Sequence, residues 1–168
     1  MMRIVVAMLG SIVISSLSAS EKIDDKNWTR HPEVKKIRIL YGEINKSQES
    51  GKLKKETIKC ELYGGSVVTD GELYTDNKGI VRKYVIDGGS EDSRARAEYY
   101  YDSKGIPRFT YRFRGAYNGT QKEYRIYFDE KGDHLYTNIK KKGPGYTQSG
   151  LTDSVRNPRS DYKDLCKE

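Results

Sequence analysis

The alternation of apolar and polar residues in the middle of the chain predicts antiparallel strands. The turn Asp102-Ser103-Lys104-Gly105 would join the first pair, because its last glycine tolerates positive φ and its aspartate can accept backbone N–H groups across the turn. With a three-residue loop there, Tyr99 would face Phe109 on one side of the sheet, and Arg96 would face Arg112 on the other. One face of this strand pair is then apolar and the other polar.

A second turn extends the pattern to a third strand. Asn118-Gly119 is typical of two-residue hairpin turns, because both residues tolerate positive φ. That turn would place Phe113 opposite Tyr124 and Tyr111 opposite Ile126, again on the apolar face. The sequence therefore predicts three adjacent strands that share one buried side.

Turns of the form Asp-x-Lys-Gly divide the chain into repeated hairpins. They lie at residues 76–79, 102–105 and 129–132, starting 26 and 27 residues apart. Together with alternating segments elsewhere, they predict a mainly β domain, an antiparallel β-meander of about six to seven strands over residues 54–140. The earlier strands are expected at residues 54–62, 67–75 and 80–87.

Two segments of the predicted sheet are less regular. The polar stretch Asp87–Ser93 is expected to form a loop between strands. After the third Asp-x-Lys-Gly turn, a four-residue loop would place Leu135 beside Ile126, whereas a three-residue loop would place His134 on the core side. The four-residue loop is favoured.

One N-terminal α-helix is predicted over residues 32–47 and is expected to pack on the apolar face of the sheet. Proline suits the first turn of a helix, and apolar residues then recur at helical spacing: Val34, Ile37, Leu40, Tyr41 and Ile44. A strand from Lys36 to Tyr41 is the alternative, because apolar residues also alternate there. Residues 141–168 are expected to be an irregular tail.

Residues 1–20 are predicted to be a signal peptide. Arg3 precedes a short apolar stretch, and small residues end the segment at Ser20. Residues 21–168 would then form a single secreted or periplasmic domain without a membrane span. In an oxidising compartment Cys60 and Cys166 are expected to form a disulfide that tethers the tail to an early strand.

The composition indicates a basic domain with an aromatic core. The chain has a formal net charge of +7 and contains 14 tyrosines but only three phenylalanines. Tyrosine rings can fill a core where their hydroxyl groups reach a partner or solvent. The positive charge is either a solvated surface or an attraction for an anionic partner, with an acidic protein or an envelope polymer favoured over nucleic acid.

The segment Tyr99-Tyr100-Tyr101-Asp102-Ser103-Lys104-Gly105-Ile106 resembles the Tyr-Asp repeats of extracellular bacterial proteins and is similar to MORN-variant repeats. The resemblance covers residues 72–139. It implies an array of β-hairpins whose turns end in glycine. These families include shells, surface modules and antitoxin-like proteins, and the resemblance implies no catalytic residue.

The residues that catalysis or metal binding would need are sparse. The two histidines, His31 and His134, do not belong to a recognised catalytic motif. Asp87, Glu91 and Asp92 could offer oxygen ligands to calcium, but their spacing fits no known calcium loop. We therefore predict no catalytic residue, no metal site and no cofactor.

A binding surface is predicted on the polar side of the central strands. Arginine and tyrosine are enriched in binding hot spots, and a row of arginines on adjacent strands needs neighbouring acids or an anionic partner to offset its repulsion. The predicted surface consists of Arg96, Tyr100, Arg108, Arg112, Arg114, Arg125 and Tyr127.

These features favour a non-catalytic exported module that binds a protein of the cell envelope, as an inhibitor or an immunity protein does. The first alternative is a cell-surface module for a glycan or an anionic polymer, with tyrosines stacking on sugars and arginines pairing with phosphates or carboxylates. The second alternative is a secreted enzyme or effector that uses His134.

Overall fold

Seven strands form one antiparallel sheet in the computed structural model, which describes residues 21–144 and 155–167. Each strand pairs with its neighbours in sequence, so the predicted β-meander is confirmed. The predicted signal peptide lies outside the described residues. The strands are β1 (Lys54–Leu62), β2 (Val67–Thr75), β3 (Val81–Ser90), β4 (Ser93–Tyr101), β5 (Pro107–Ala116), β6 (Gln121–Phe128) and β7 (His134–Lys142).

Helix α1 (Pro32–Glu49) precedes the sheet, which confirms the predicted helix and excludes the alternative strand. The side chain of His31 caps its N-terminus by accepting a hydrogen bond from the N–H of Glu33 at 3.3 Å. Its buried face packs on aromatic residues of the sheet and contains Val34, Ile37 and Ile44. In the described residues no helix is long and apolar enough to cross a membrane.

A second helix, α2 (Pro158–Asp164), lies in the tail that was predicted to be irregular, so that prediction is wrong for this part of the tail. The Asn157 side chain caps the helix by accepting a hydrogen bond from the N–H of Ser160 at 3.2 Å. Next to the helix, Leu165 packs on Gly71. A β-carbon at position 71 would lie 2.6 Å from the Leu165 side chain. The predicted Cys60–Cys166 disulfide is confirmed and holds the end of this segment on β1.

The three Asp-x-Lys-Gly turns share one set of hydrogen bonds. In the second turn the carboxylate of Asp102 accepts the N–H of Lys104 at 2.8 Å and the N–H of Ile106 at 3.0 Å. Gly105 has a φ of +80°, which only glycine adopts without strain. The carboxylates of Asp76 and Asp129 accept the equivalent pairs of N–H groups.

Each of these turns is followed by a β-bulge, and the bulges make the predicted register wrong. Next to the second turn, Tyr101 faces Pro107, as a three-residue loop requires. The next pair is Tyr100 and Phe109, so Arg108 is an extra residue. All pairs farther from the turn are therefore shifted by one residue, and every side chain of β5 changes face relative to β4.

The strand pairs that follow contain the same kind of error. Between β5 and β6, the N–H of Ala116 bonds to the carbonyl of Thr120, so the hairpin bond encloses three residues, 117–119, where two were predicted. After the third turn His134 faces Phe128, and this pair contradicts the favoured four-residue loop. The His134 side chain is nevertheless exposed and does not lie in the core. The predicted pairs that are wrong include Tyr99–Phe109, Arg96–Arg112, Phe113–Tyr124, Tyr111–Ile126 and Ile126–Leu135.

The predicted polar loop between Asp87 and Ser93 is also wrong. Strand β3 continues to Ser90 and β4 begins at Ser93, which leaves only a two-residue turn. Charged and small side chains pair across these strands, with Asp87 opposite Arg96. Backbone pairing continues into a segment whose composition suggested a loop, because its side chains can point into solvent.

Both faces of the sheet carry aromatic residues, so the predicted single apolar face is wrong. We call the face under α1 the helix face; it contains Tyr100, Phe109, Tyr127 and Tyr136. We call the opposite face the tail face, because α2 packs on it; it contains Tyr84, Tyr99, Tyr101 and Ile126. The turn end is the end with the Asp-x-Lys-Gly turns, and the open end is the other end, with the connections at residues 63–66, 91–92 and 117–120.

Candidate functional site

Helix α1 covers the helix face only at the turn end, and a charged surface extends from there to the open end. Two rows of side chains cross the strands on this surface, which we call the open helix face. The first row contains Asp87, Arg96, Phe113 and Glu123, and the second contains Glu98, Tyr111, Arg125 and Asn138. Arg94 on β4 continues the surface toward the open end.

Two arginines of β4 share the carboxylate of Asp87. Arg96 donates to Asp87 at 2.6 Å and to Glu98 at 2.8 Å, and Arg94 donates to Asp87 at 3.0 Å. Burial alone would raise the pKa of Asp87, but the hydrogen bonds from Arg94 and Arg96 outweigh it and lower that pKa. Both guanidinium groups are thus held in fixed positions at the surface.

Glu98 connects this surface to helix α1 through a buried lysine. The ammonium of Lys83 donates to Asn45 and Gln48, each at 2.9 Å, and lies 3.2 Å from the Glu98 carboxylate. Its three N–H groups therefore have three acceptors. Burial lowers the pKa of Lys83 despite the charge of Glu98.

The Glu98 carboxylate remains ionised in this network. Burial alone would raise its pKa, but the hydrogen bonds from Tyr100 and Arg96 and the charge of Lys83 lower it. Tyr100 and Arg96 bond different oxygens of the carboxylate. Glu98 is consequently the link between the exposed arginines and the core under α1.

Strands β5 to β7 carry a second guanidinium group on the open helix face. Arg125 pairs with Glu123 at 2.8 Å, and its guanidinium lies 5.6 Å from the centre of the Tyr111 ring. Two buried polar atoms here have no hydrogen-bond partner among the described residues. They are Nη1 of Arg125 and Oδ1 of Asn138, the residue that faces Arg125 on β7. This arginine is therefore supported by one acid and one aromatic ring.

At the open end, aromatic rings flank Arg94. Gly115 makes room for the ring of Phe113, since a β-carbon there would lie 3.0 Å from Cζ of that ring. Tyr117 in the following loop is 84% exposed, the highest value among the large apolar side chains of the described residues. Arg94, Phe113 and Tyr117 line one groove together with the turn between β3 and β4.

The structure separates the residues that were predicted to form one binding surface. Arg96 and Arg125 lie on the open helix face, but Arg112 and Arg114 point to the tail face. Arg108 lies in the bulge at the turn end, 3.8 Å from Asp102. Tyr100 and Tyr127 are buried at the turn end, 3% and 1% exposed.

The predicted row Arg96–Arg112–Arg125 is consequently wrong. Arg96 faces Phe113, and Arg125 faces Tyr111. That any of the predicted surface residues binds a partner stays a prediction.

Several residues of the open helix face were missed by the sequence reasoning. The composition places Asp87 in a loop, and Lys83 and Arg94 are not part of the predicted surface. The alternation of charges from Arg94 to Arg96 and Glu98 could have shown that Arg94 shares the face of the other two. The position of Asp87 opposite Arg96 depends on a strand pair that the composition concealed.

The other candidate residues lie apart from this surface. His31 caps α1, and the ring of His134 contacts the hydroxyl of Thr137 at 2.8 Å. Asp87, one of the possible calcium ligands, pairs instead with two arginines. Within residues 21–144 and 155–167, no group of three or more His, Cys, Asp or Glu side chains is placed to hold a metal ion.

Comparison with protein-family models, with curated proteins and with solved structures finds no match for this chain. The chemistry of the site is therefore defined by its own side chains. Guanidinium groups anchored by carboxylates can donate to carboxylate or carbonyl oxygens, and aromatic rings between them can pack on apolar groups.

Proposed function

We propose that this chain is a non-catalytic, exported module that binds another protein through the open helix face, as an inhibitor or an immunity protein does. The Cys60–Cys166 disulfide supports a location in an oxidising compartment outside the cytoplasm. The antiparallel sheet, covered at its turn end, supplies a rigid support for such a surface.

The observation that carries this proposal is the position of Arg96. Its guanidinium is bonded to both Asp87 and Glu98, yet its side chain remains 33% exposed. An arginine that is already held in one conformation loses little side-chain entropy when a partner binds. Such preorganised arginines beside aromatic rings are typical of binding hot spots.

The expected partner surface is mixed rather than uniformly acidic. Arg94 is 67% exposed and presents its guanidinium beside the Phe113 ring. A carboxylate or a carbonyl group of the partner would accept from Arg94, and an apolar side chain would pack on Phe113 and Tyr117. Glu123 and Asp87 balance the arginines, so the partner needs no large excess of negative charge.

Capture from a cell-envelope extract by the oxidised chain tests this proposal, followed by affinity measurements with the captured protein. The test variant is Arg94→Ala/Tyr117→Ala, since both side chains are exposed and their removal leaves the core unchanged. The expected affinity loss is about tenfold or more, with an unchanged melting temperature.

The matched control is Lys35→Ala/Ile39→Ala on the outer surface of α1, which also removes one exposed cation and one large exposed apolar side chain. The control should bind as the unmodified chain does. Equal binding by both variants would contradict the open helix face as the site. Retention of an envelope polysaccharide instead of a protein would favour the glycan-binding alternative.

A further inference from the structure

Residues 155–167, which we call the tail segment, pack on the tail face and contact two of the Asp-x-Lys-Gly turns. Arg156 donates to the carbonyl of Gly132, in the turn between β6 and β7, at 3.1 Å. Arg159 donates to the carbonyl of Gly79, in the turn between β2 and β3, at 2.8 Å. The tail segment therefore connects two hairpins that are not neighbours in the sheet.

Three tyrosine rings of the sheet lie beneath the tail segment. Tyr84, Tyr99 and Tyr101 are buried and belong to one core cluster, and Val155 and Tyr162 of the tail segment pack against it. The Tyr162 ring meets the Tyr84 ring at a steep angle, with 6.2 Å between the ring centres. Displacement of the tail segment would therefore uncover an aromatic surface on the sheet.

The helix of the tail segment contributes little to its own attachment. Helix α2 has seven residues, of which Pro158 is the one that is buried. A helix of this length is unstable by itself. Arg156 and Arg159 are exposed, so water competes for the hydrogen bonds that they donate to the turns. The attachment therefore depends on ring packing and on the Cys60–Cys166 disulfide.

The two cysteines of this disulfide differ in exposure. Cys60 lies in β1 and is 3% exposed, whereas Cys166 is exposed at the end of the tail segment. A thiolate reduces a disulfide by attacking one of its sulfur atoms, and the rate depends on access to that sulfur. The sulfur of Cys166 is therefore the accessible point of attack, and Cys60 is the leaving group.

We propose that Cys166 is a site of thiol–disulfide exchange with a dithiol reductant, and that reduction releases the tail segment while the sheet stays folded. One thiolate of the reductant forms a mixed disulfide with Cys166, and Cys60 leaves as a thiolate and takes up a proton. The second thiol of the reductant then displaces Cys166. Two electrons pass to the chain, which gains two thiols, and the reductant becomes a disulfide.

The sheet has support that does not involve the tail segment. The core cluster under α1 consists of helix and strand residues, and Trp28 packs against it. Each strand also pairs with its neighbours in sequence. Reduction removes one attachment of the tail segment and none of the contacts on the helix face. The release therefore does not depend on partner binding at the open helix face.

Brief trypsin digestion of the oxidised chain and of the chain reduced with dithiothreitol under native conditions tests the release. Cleavage after Arg156, Arg159 and Lys163 should be about tenfold faster or more in the reduced chain, because cleavage follows the population of the open form. Cleavage after Lys104, in an exposed turn of the sheet, is the control and should not change. The fluorescence of Trp28, the single tryptophan, should also stay the same.

Mass spectrometry after reaction with glutathione tests the point of attack, and the mixed disulfide should form on Cys166. The variant Cys60→Ser/Cys166→Ser, without reductant, should be cleaved as the reduced chain is. A disulfide that resists dithiothreitol, a tail segment that stays protected after reduction, or a mixed disulfide on Cys60 would overturn the proposal. So would faster cleavage throughout the sheet, because the disulfide would then hold the whole fold.

Discussion

The turn end and the open end of the sheet differ in what alternates along the strands. At the turn end of β4, Tyr99, Tyr100 and Tyr101 are consecutive, so both faces receive an aromatic ring and both are buried. At the open end of β4, charged residues alternate with Ala95 and Ala97. One face there is charged and the other has small side chains.

This difference explains where helix α1 lies. Helix α1 packs on Tyr100, Phe109 and Tyr127 at the turn end of the helix face. On the tail face at the same end, the Tyr101 hydroxyl donates a hydrogen bond to the carbonyl of Val155 at 2.9 Å. The open end has no comparable apolar cluster for a helix to cover among the described residues. We therefore expect the turn end to supply most of the stability, and the open end leaves side chains accessible to partners.

The largest expected effect comes from two phenylalanines on the helix face of β5. Phe109 is 6% exposed, with its ring 4.8 Å from Tyr41 and 5.0 Å from Tyr127. Phe109→Ala should lower the free energy of unfolding by about 4 kcal/mol, because it leaves a cavity under α1.

The matched change Phe113→Ala, at the partly exposed open end, should cost only about 1 kcal/mol. Urea denaturation of the two variants and the unmodified chain measures both values. Similar costs at Phe109 and Phe113 would show that the open end is packed as well as the turn end, and would contradict the comparison.

A smaller effect is expected where the two ends meet, at Glu98. Its carboxylate bonds to Tyr100 and Arg96 and pairs with Lys83, so Glu98→Gln should cost about 2 kcal/mol at neutral pH. Because its pKa is lower in the folded chain than in the unfolded chain, its stabilisation is complete above the unfolded pKa and is lost as the pH falls through the folded pKa.

Denaturation of the unmodified chain and of Glu98→Gln between about pH 7 and about pH 3 measures this contribution. The difference in unfolding free energy between the two proteins should shrink toward the acidic end. A difference that stays constant over this range would mean that Glu98 contributes only through packing and not through its charge.

Helix α1 and the hairpin turns of this fold could be predicted from sequence because their signals are local. The apolar spacing of α1 and the glycines of the three turns act within a few residues, and Cys60 and Cys166 had only each other to pair with. The register depends instead on bulges after each turn. One extra residue, such as Arg108, reverses the face of every later side chain relative to the preceding strand.

A repeated contact indicates why two of these bulges contain arginine. Arg82 donates to the carbonyl of Tyr101, and Arg108 donates to the carbonyl of Phe128, at 3.3 and 3.4 Å. Each arginine thus connects its own turn to the next strand pair.

The candidate site could not be predicted because it needs the correct register, which places Arg96 opposite Asp87 and separates it from Arg112.

The smallest expected effect compares one turn from each end. The Asp102 carboxylate accepts two backbone N–H groups at the turn end, whereas the Asn118 side chain at the open end accepts one, that of Thr120, at 3.0 Å. Asp102→Ala should therefore cost about 1 kcal/mol and Asn118→Ala about 0.5 kcal/mol. Ser103→Ala, in the same turn as Asp102, controls for a change in turn flexibility and should be neutral. A larger cost at Asn118 than at Asp102 would mean that the open end depends on its own connections, and not on the turn end, for its stability. A hairpin that frays independently would gain little stability from a single hydrogen bond in its turn.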